Sequence, residues 1–252
     1  MKLFGNQFPL PTFHAVQVHP SSIASVNYAL DFDGDNDWVN IGGSDVNKPF
    51  TIELWVKRQN ASPYSTILQS DNFRFRLEQY GGTRKVGYSK AGGGSYDVDF
   101  DYIAPTDQWV HLAVVTTSDS TTLFVNGSYE KKKTTVNWKA PLDLLSRNAT
   151  GTLYATIDEL RIWNDARTIS EIADNMEIEL AGDESNLVAY YKMSDGSGTT
   201  LTDNSSNSNN GTLTNMVTSG GSSDWVIPYA PIANMNSSYK TDVEAVWQNT
   251  GT

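Results

Sequence analysis

Between Tyr28 and Tyr229 the chain is a succession of short apolar or alternating runs, each cut off by clusters of Gly, Asn, Asp and Ser. The runs are Tyr28–Phe32, Trp38–Ile41, Phe50–Val56, Thr66–Gln69, Phe73–Leu77, Val86–Tyr88, Tyr96–Phe100, Trp109–Thr116, Thr121–Val125, Leu153–Trp163 and Leu187–Met193. Gly211–Met216 and Trp225–Tyr229 are further candidates. Short segments rich in Val, Ile, Thr, Tyr and Trp, with turn chemistry between them, build a β-sandwich or barrel. Phe50-Thr51-Ile52-Glu53-Leu54-Trp55-Val56 shows the period: Phe50, Ile52, Leu54 and Val56 fall on one face, and Thr51, Glu53 and Trp55 on the other.

One helix interrupts the pattern. Thr168-Ile169-Ser170-Glu171 is a capping-box signature, and Ile169, Ile172, Ala173 and Met176 give the apolar stripe of a short helix expected to plug one end of the core. Residues 1–27 have neither period and read as an extended N-terminal arm, and 231–252 read as a C-terminal arm. Residues 194–224 are rich in Gly, Ser, Asn and Thr and read as loops around a short strand. One domain over residues 28–230, flanked by two arms, is the expected organisation.

Composition narrows the chemistry. Eighteen basic against 29 acidic residues leave a net charge of −11, which repels phosphate backbones and anionic lipid, so neither nucleic acid nor membrane insertion is expected. The absence of cysteine removes disulfides and thiolate chemistry, and three histidines leave little for zinc or His-dependent triads. Prolines and polar residues within Met1–Pro11 interrupt any signal-peptide core. An extracellular or virion-surface location, reached by lysis, is the expectation.

Several segments together resemble the laminin-G-like, concanavalin A-like lectin family, which includes the pentraxins. They are Tyr28-Ala29-Leu30-Asp31-Phe32-Asp33-Gly34-Asp35-Asn36-Asp37-Trp38-Val39, Phe50–Lys57, Trp109–Val115 followed by Leu123-Phe124-Val125-Asn126-Gly127, and Ile157-Asp158-Glu159-Leu160-Arg161-Ile162-Trp163-Asn164-Asp165-Ala166-Arg167. Leu187–Lys192 and Asp203…Asn210-Gly211-Thr212 are similar to that family's closing segment. The resemblance covers roughly residues 28–228. It implies an all-β fold: a two-sheet antiparallel jelly-roll sandwich with one short helix, used for recognition more than for one fixed chemistry.

Asp31, Asp33, Asp35 and Asp37 are the densest acidic cluster. Alternation along a strand would put them on one face, where they either hold a cation or cap a polar turn. A calcium site built on Asp33, Asp35 and Asp37 is one expectation, and the resemblance adds Asp158 as a partner. Asp158 and Glu159 are adjacent, so alternation sends them to opposite faces and denies them the role of a glycosidase pair. His111, in an apolar strand, reads as a packed, hydrogen-bonded histidine. Tyr64, Tyr96, Tyr102 and Trp138 are the candidate ligand-binding residues, since flat rings beside polar side chains suit the apolar faces of sugars. The expected function is a non-enzymatic recognition or adhesion module that binds glycans, mounted in a larger assembly such as a phage virion. Neighbouring subunits would be held through residues 1–27 and 231–252. The alternatives are a free calcium-dependent carbohydrate-binding module of a secreted bacterial protein and, less favoured, a glycoside hydrolase.

Overall fold

In the computed structural model, residues 27–59, 65–79, 83–90, 98–134, 137–147 and 152–228 are described. The strands are β1 (Ala29–Asp33), β2 (Trp38–Asn40), β3 (Phe50–Arg58), β4 (Thr66–Gln69), β5 (Phe73–Gln79), β6 (Lys85–Lys90), β7 (Val98–Asp99) and β8 (Trp109–Thr116). They continue with β9 (Ser120–Val125), β10 (Ser128–Thr134), β11 (Leu144–Ser146), β12 (Tyr154–Trp163), β13 (Leu187–Tyr191), β14 (Thr200–Leu201), β15 (Gly211–Thr214) and β16 (Trp225–Val226). A single helix among the described residues, α1 (Ile169–Asn175), falls between β12 and β13.

The strands pair antiparallel into two sheets. Sheet A runs β10-β9-β8-β3-β12-β1-β16, with β13 also on β12, and sheet B runs β14-β15-β2-β11-β4-β5-β6-β7. Period two fixes which side of each sheet is apolar. Across sheet B one inward row passes from Leu213 through Val39, Leu145, Leu68 and Phe75 to Tyr88. Sheet A answers with Leu30, Ile52, Leu54, Leu112, Val114 and Ile157, and all twelve join one core. This is the expected two-sheet jelly-roll sandwich.

β10 escapes a reading based on periodicity because Ser128–Thr134 is polar on both sides. It is the free edge of sheet A, and its lysines discourage pairing with other chains. Two of them close the sandwich rim: Lys131 and Lys133 of β10 meet Lys85 of β6 at Asp101, at 3.1, 3.6 and 2.9 Å. Those cations hold the Asp101 carboxyl well below the usual range.

Helix α1 forms as its sequence dictates and packs differently. Both bonds of the capping box are present between Thr168 and Glu171. Of the expected stripe only Ile172 is buried, against Ala113 and Val115 of β8 and beside Phe124 of β9, while Ile169 and Ala173 are exposed. The helix therefore lies on the outer face of sheet A instead of plugging an end of the core. Close approach is possible because Gly127 faces it: a Cβ there would meet the Ala173 Cβ at 3.0 Å.

Candidate functional site

The outer face of sheet A is closed. Trp55 Nε1 donates to the Met176 carbonyl at 2.6 Å, and Arg161 donates to the carbonyls of Asn175, at 2.9 Å, and Ile178. Arg161 also pairs with Glu159 at 2.7 Å and lies 4.0 Å from Glu53, which accepts the Trp163 indole N–H at 2.8 Å. Tyr190 OH donates to Glu159 at 2.6 Å and accepts the Leu180 N–H. Burial pushes the Glu53 and Glu159 carboxyls up, and Arg161 opposes the shift. His111 packs edge-on to Trp55, 5.4 Å between centroids, and burial followed by the Arg161 charge lowers it to about 3, so it is neutral at physiological pH. Its backbone N–H is satisfied by Asn126, but its Nδ1 has no hydrogen-bond partner, so the ring is packed more than bonded. These groups hold α1 and the chain after it onto the sheet.

Alternation fails at Asp158 and Glu159. β12 carries a bulge between Asp158, opposite Trp55, and Arg161, opposite Glu53, and Glu159 takes a positive φ of 52°. The bulge brings Glu159 to the same outer side as Asp158, and its charge helps burial raise the Asp158 carboxyl. What denies them a hydrolytic role is burial: they are 0% and 3% exposed, and Glu159 is committed to Arg161 and Tyr190.

The expected calcium ligands do not converge. Asp33 stands opposite Tyr154 in the β1–β12 register, four residues from Asp158, or about 13 Å along the strand. Asp33 Oδ1 accepts the Asp35 N–H at 2.8 Å and Asp37 Oδ2 accepts the Asp33 N–H at 3.1 Å, so the cluster is a capped polar turn around Gly34. Gly34 is required there, with φ +83° and the Tyr154 side chain 2.9 Å from where a Cβ would sit. Among the described residues no group of three His, Cys, Asp or Glu side chains stands in a metal-holding arrangement. The structure therefore does not bring Asp158 together with Asp33, Asp35 and Asp37 in one site.

The turn has a pH consequence instead. Burial, with Asp33 and Asp224 nearby, raises Asp37 to about 7. A carboxyl raised on folding contributes stability that is complete below its ordinary pKa near 4 and lost as pH climbs through 7. Asp37→Asn keeps an acceptor for the Asp33 N–H and removes that loss. In thermal melts it is expected to match the parent at pH 4 and exceed it at pH 8 by about 1–3 kcal/mol, after allowance for water at the turn. Equal melting temperatures at pH 8 would contradict this origin of the shift.

The candidate ligand rings also scatter. Tyr64 and Tyr96 lie outside the described residues. Tyr102 is half-buried against the core, with Glu130 of β10 near its hydroxyl. Trp138 is 0% exposed and stacks on Tyr88 at 4.8 Å, so it is a core residue with no face to offer a ligand.

The outer face of sheet B is built differently. Because Val39, Phe73, Phe75 and Leu145 point inward, their neighbours point out. One outward row crosses the sheet through Thr212, Asn40, Leu144, Gln69, Arg74 and Ser89, and a second pairs Thr214, Trp38 and Ser146. Trp38, Gln69 and Arg74 are half-buried and Asn40 is exposed. Behind them Arg76 Nε donates to Ser89 Oγ at 3.1 Å, and Ser89 donates to Gln79 at 2.9 Å. From Asn40 of β2 to Arg74 of β5 the row spans three strand spacings, about 14 Å. No described helix covers this face. The signal was present in Phe73-Arg74-Phe75-Arg76-Leu77, where strict alternation places two arginines on the side away from the core.

A separate cleft of about 430 Å³ lies beside the loop before β3, lined by Ser44, Asp45, Asn47, Lys48, Asn164 and Val188 among others. It has hydrogen-bonding groups and no aromatic ring.

The sequence profile described as the concanavalin A-like lectin/glucanases superfamily matches residues 33–173, more than half of the chain, and the protein belongs to that family. In fold it is similar to a candidate carbohydrate-binding protein from Bacteroides ovatus, at 19% identity and TM-score 0.59. That match covers 75% of this chain and 58% of the other, so this chain spans little more than half of its relative's length. Domain 4 of an extracellular GH43 arabinanase from Geobacillus stearothermophilus, solved with arabinotriose, matches at 22% identity and TM-score 0.45, covering 58% and 75% of the two chains. A heptameric pentraxin from Limulus polyphemus matches at 12% identity and TM-score 0.46, covering 60% and 82%. No curated protein is detectably similar in sequence. The family match and the likeness to the Bacteroides ovatus protein establish a lectin-like sandwich.

Proposed function

We propose that this protein is a non-catalytic carbohydrate-recognition module whose ligand lies along the outer face of sheet B. One contrast carries the reading: α1 and the chain after it seal the outer face of sheet A, whereas sheet B turns outward a half-buried tryptophan and a row of hydrogen-bonding side chains. An indole ring supplies an apolar platform for a sugar face, and Asn40, Gln69 and Arg74 supply amide and guanidinium groups for hydroxyls. The extent of the row suits an oligosaccharide better than a single sugar. The buried state of Asp158 and Glu159 supports binding without bond cleavage. A likeness to a candidate carbohydrate-binding protein is consistent with this role. Segments 1–26 and 229–252 contain nearly all of the two arms expected to contact neighbouring subunits of an assembly such as a virion. They lie outside the described residues, and the binding reading stands without them. Asn27 belongs to the domain, since its side chain accepts from Ser194 and reaches Asp158.

The test is an oligosaccharide array followed by calorimetry on the hits. Trp38→Ala is expected to weaken binding by about tenfold, the loss of one stacked ring, with the melting temperature nearly unchanged. Binding that survives Trp38→Ala intact, or measurable cleavage of a bound glycan, would contradict the proposal.

A further inference from the structure

The chain carries a net charge of −11, yet one edge of sheet A is basic. β10 is the free edge of that sheet, and Lys131, Lys132 and Lys133 follow one another along it. Lys131 stands opposite Leu123, a core residue, so period two turns Lys131 and Lys133 to the inner side of the strand and Lys132 to the outer side. Lys131 and Lys133 approach the same oxygen, Asp101 Oδ2, at 3.1 and 3.6 Å. Lys85 reaches the other oxygen of Asp101 at 2.9 Å and Asp99 at 3.6 Å. Three cations therefore share two carboxylates, and Lys132, which is exposed, has no ion pair among the described residues.

The opposite edge of the same sheet is acidic. β1 and β16 form it, and Asp31, Asp33, Asp35 and Asp224 stand around them. Asp33 and Asp35 are exposed, and none of the four pairs with a lysine or arginine among the described residues. The Asp31 N–H donates to the Asp224 carbonyl at 2.8 Å, which ties the two segments together. The charged patches occupy opposite corners of sheet A. Lys133 pairs with Thr121 at the level of Phe50, the first residue of β3, whereas Asp33 stands opposite Tyr154, one step past the level of Arg58, the last. The corners are separated by five strand spacings, about 24 Å, and by about 30 Å along the strands. Within one copy they cannot meet, but two copies can bring them together.

We propose that Lys131, Lys132 and Lys133 of one copy dock on the Asp31, Asp33, Asp35 and Asp224 carboxylates of a second copy, so that the protein assembles head to tail. A contact between unlike patches is heterologous, and its repetition gives a ring or a filament. Side chains make the contact, and no strand is added to the sheet. At physiological salt the repulsion between two acidic bodies is screened beyond about 8 Å, while charges in contact keep their attraction.

The experiment is sedimentation velocity of the full chain over a concentration series. Association is expected at low salt and is expected to vanish near about 1 M salt, where the Debye length is about 3 Å. Lys132→Glu with Lys133→Glu leaves Lys85 and Lys131 on Asp101, and Asp35→Lys with Asp33→Asn keeps an acceptor for the N–H of residue 35. Each double variant should therefore melt as the parent does and weaken self-association by about tenfold or more. Mixed together, the two variants should form one-to-one pairs and nothing larger, because each retains the patch that the other lacks. Glycan binding by the lysine variant should be unchanged, so the recognition reading stands or falls separately. A parent that stays monomeric at every concentration, association that survives either variant, or mixed variants that do not pair overturns the proposal. Uptake of dextran sulfate on the basic edge by a protein that remains monomeric also overturns it, and makes that edge a site for acidic polymers.

Discussion

Arg161→Met is expected to destabilise the protein by about 3–5 kcal/mol, the range for removing one member of a buried ion pair. Arg161 is 1% exposed and neutralises Glu159 at 2.7 Å and Glu53 at 4.0 Å, while two of its N–H groups satisfy the carbonyls of Asn175 and Ile178. Without it, two carboxylates already raised by burial lose the opposing charge, and the end of α1 loses its attachment. The melting temperature should fall by about 6–20 °C for a domain of this size. Adding Glu159→Gln to Arg161→Met should recover part of the loss, because one of the stranded charges is then gone. A cost under 1 kcal/mol in chemical denaturation would show that water reaches this network.

Trp138→Ala is expected to cost about 3–5 kcal/mol as well, for a different reason: it opens a cavity in the main core. The ring stacks on Tyr88, which in turn packs on Phe75 and Phe50 at 6.0 and 6.3 Å and donates its hydroxyl to the Lys139 carbonyl. Trp138→Phe should be much milder, since it retains most of the packing and deletes an indole N–H that has no partner. Neither change should alter glycan affinity in protein that remains folded. That contrast separates Trp138 from Trp38, whose substitution should change affinity and spare stability.

Much of the architecture was legible because burial obeys local periods. The alternation of Phe50–Val56 and the capping box at Thr168 reappear in the structure residue for residue. β10 and β11 were not legible: one is polar on both faces at a free edge, and the other is three residues long. The site was less accessible for a related reason. An aromatic residue in a strand looks the same whether it faces the core or the solvent, and what separates Trp38 from Trp138 is pairing register and layer packing, set by residues far away in sequence. The aspartate cluster shows the same limit, because one carboxylate oxygen each of Asp33 and Asp37 caps an amide inside the turn, a contact that proximity along the chain does not announce. The bulge in β12, which overturned the alternation of Asp158 and Glu159, depends on a positive φ at a glutamate that its sequence does not announce.

An amide-resolved NMR titration of the folded protein with an oligosaccharide chosen from the array tests the central claim most directly. Shifts concentrated on Trp38, Asn40, Gln69 and Arg74, with the amides of α1 and β8 unmoved, are the predicted outcome. Shifts confined to Ser44–Pro49 and Asn164, or to the α1 side of sheet A, would place the ligand elsewhere and contradict the account.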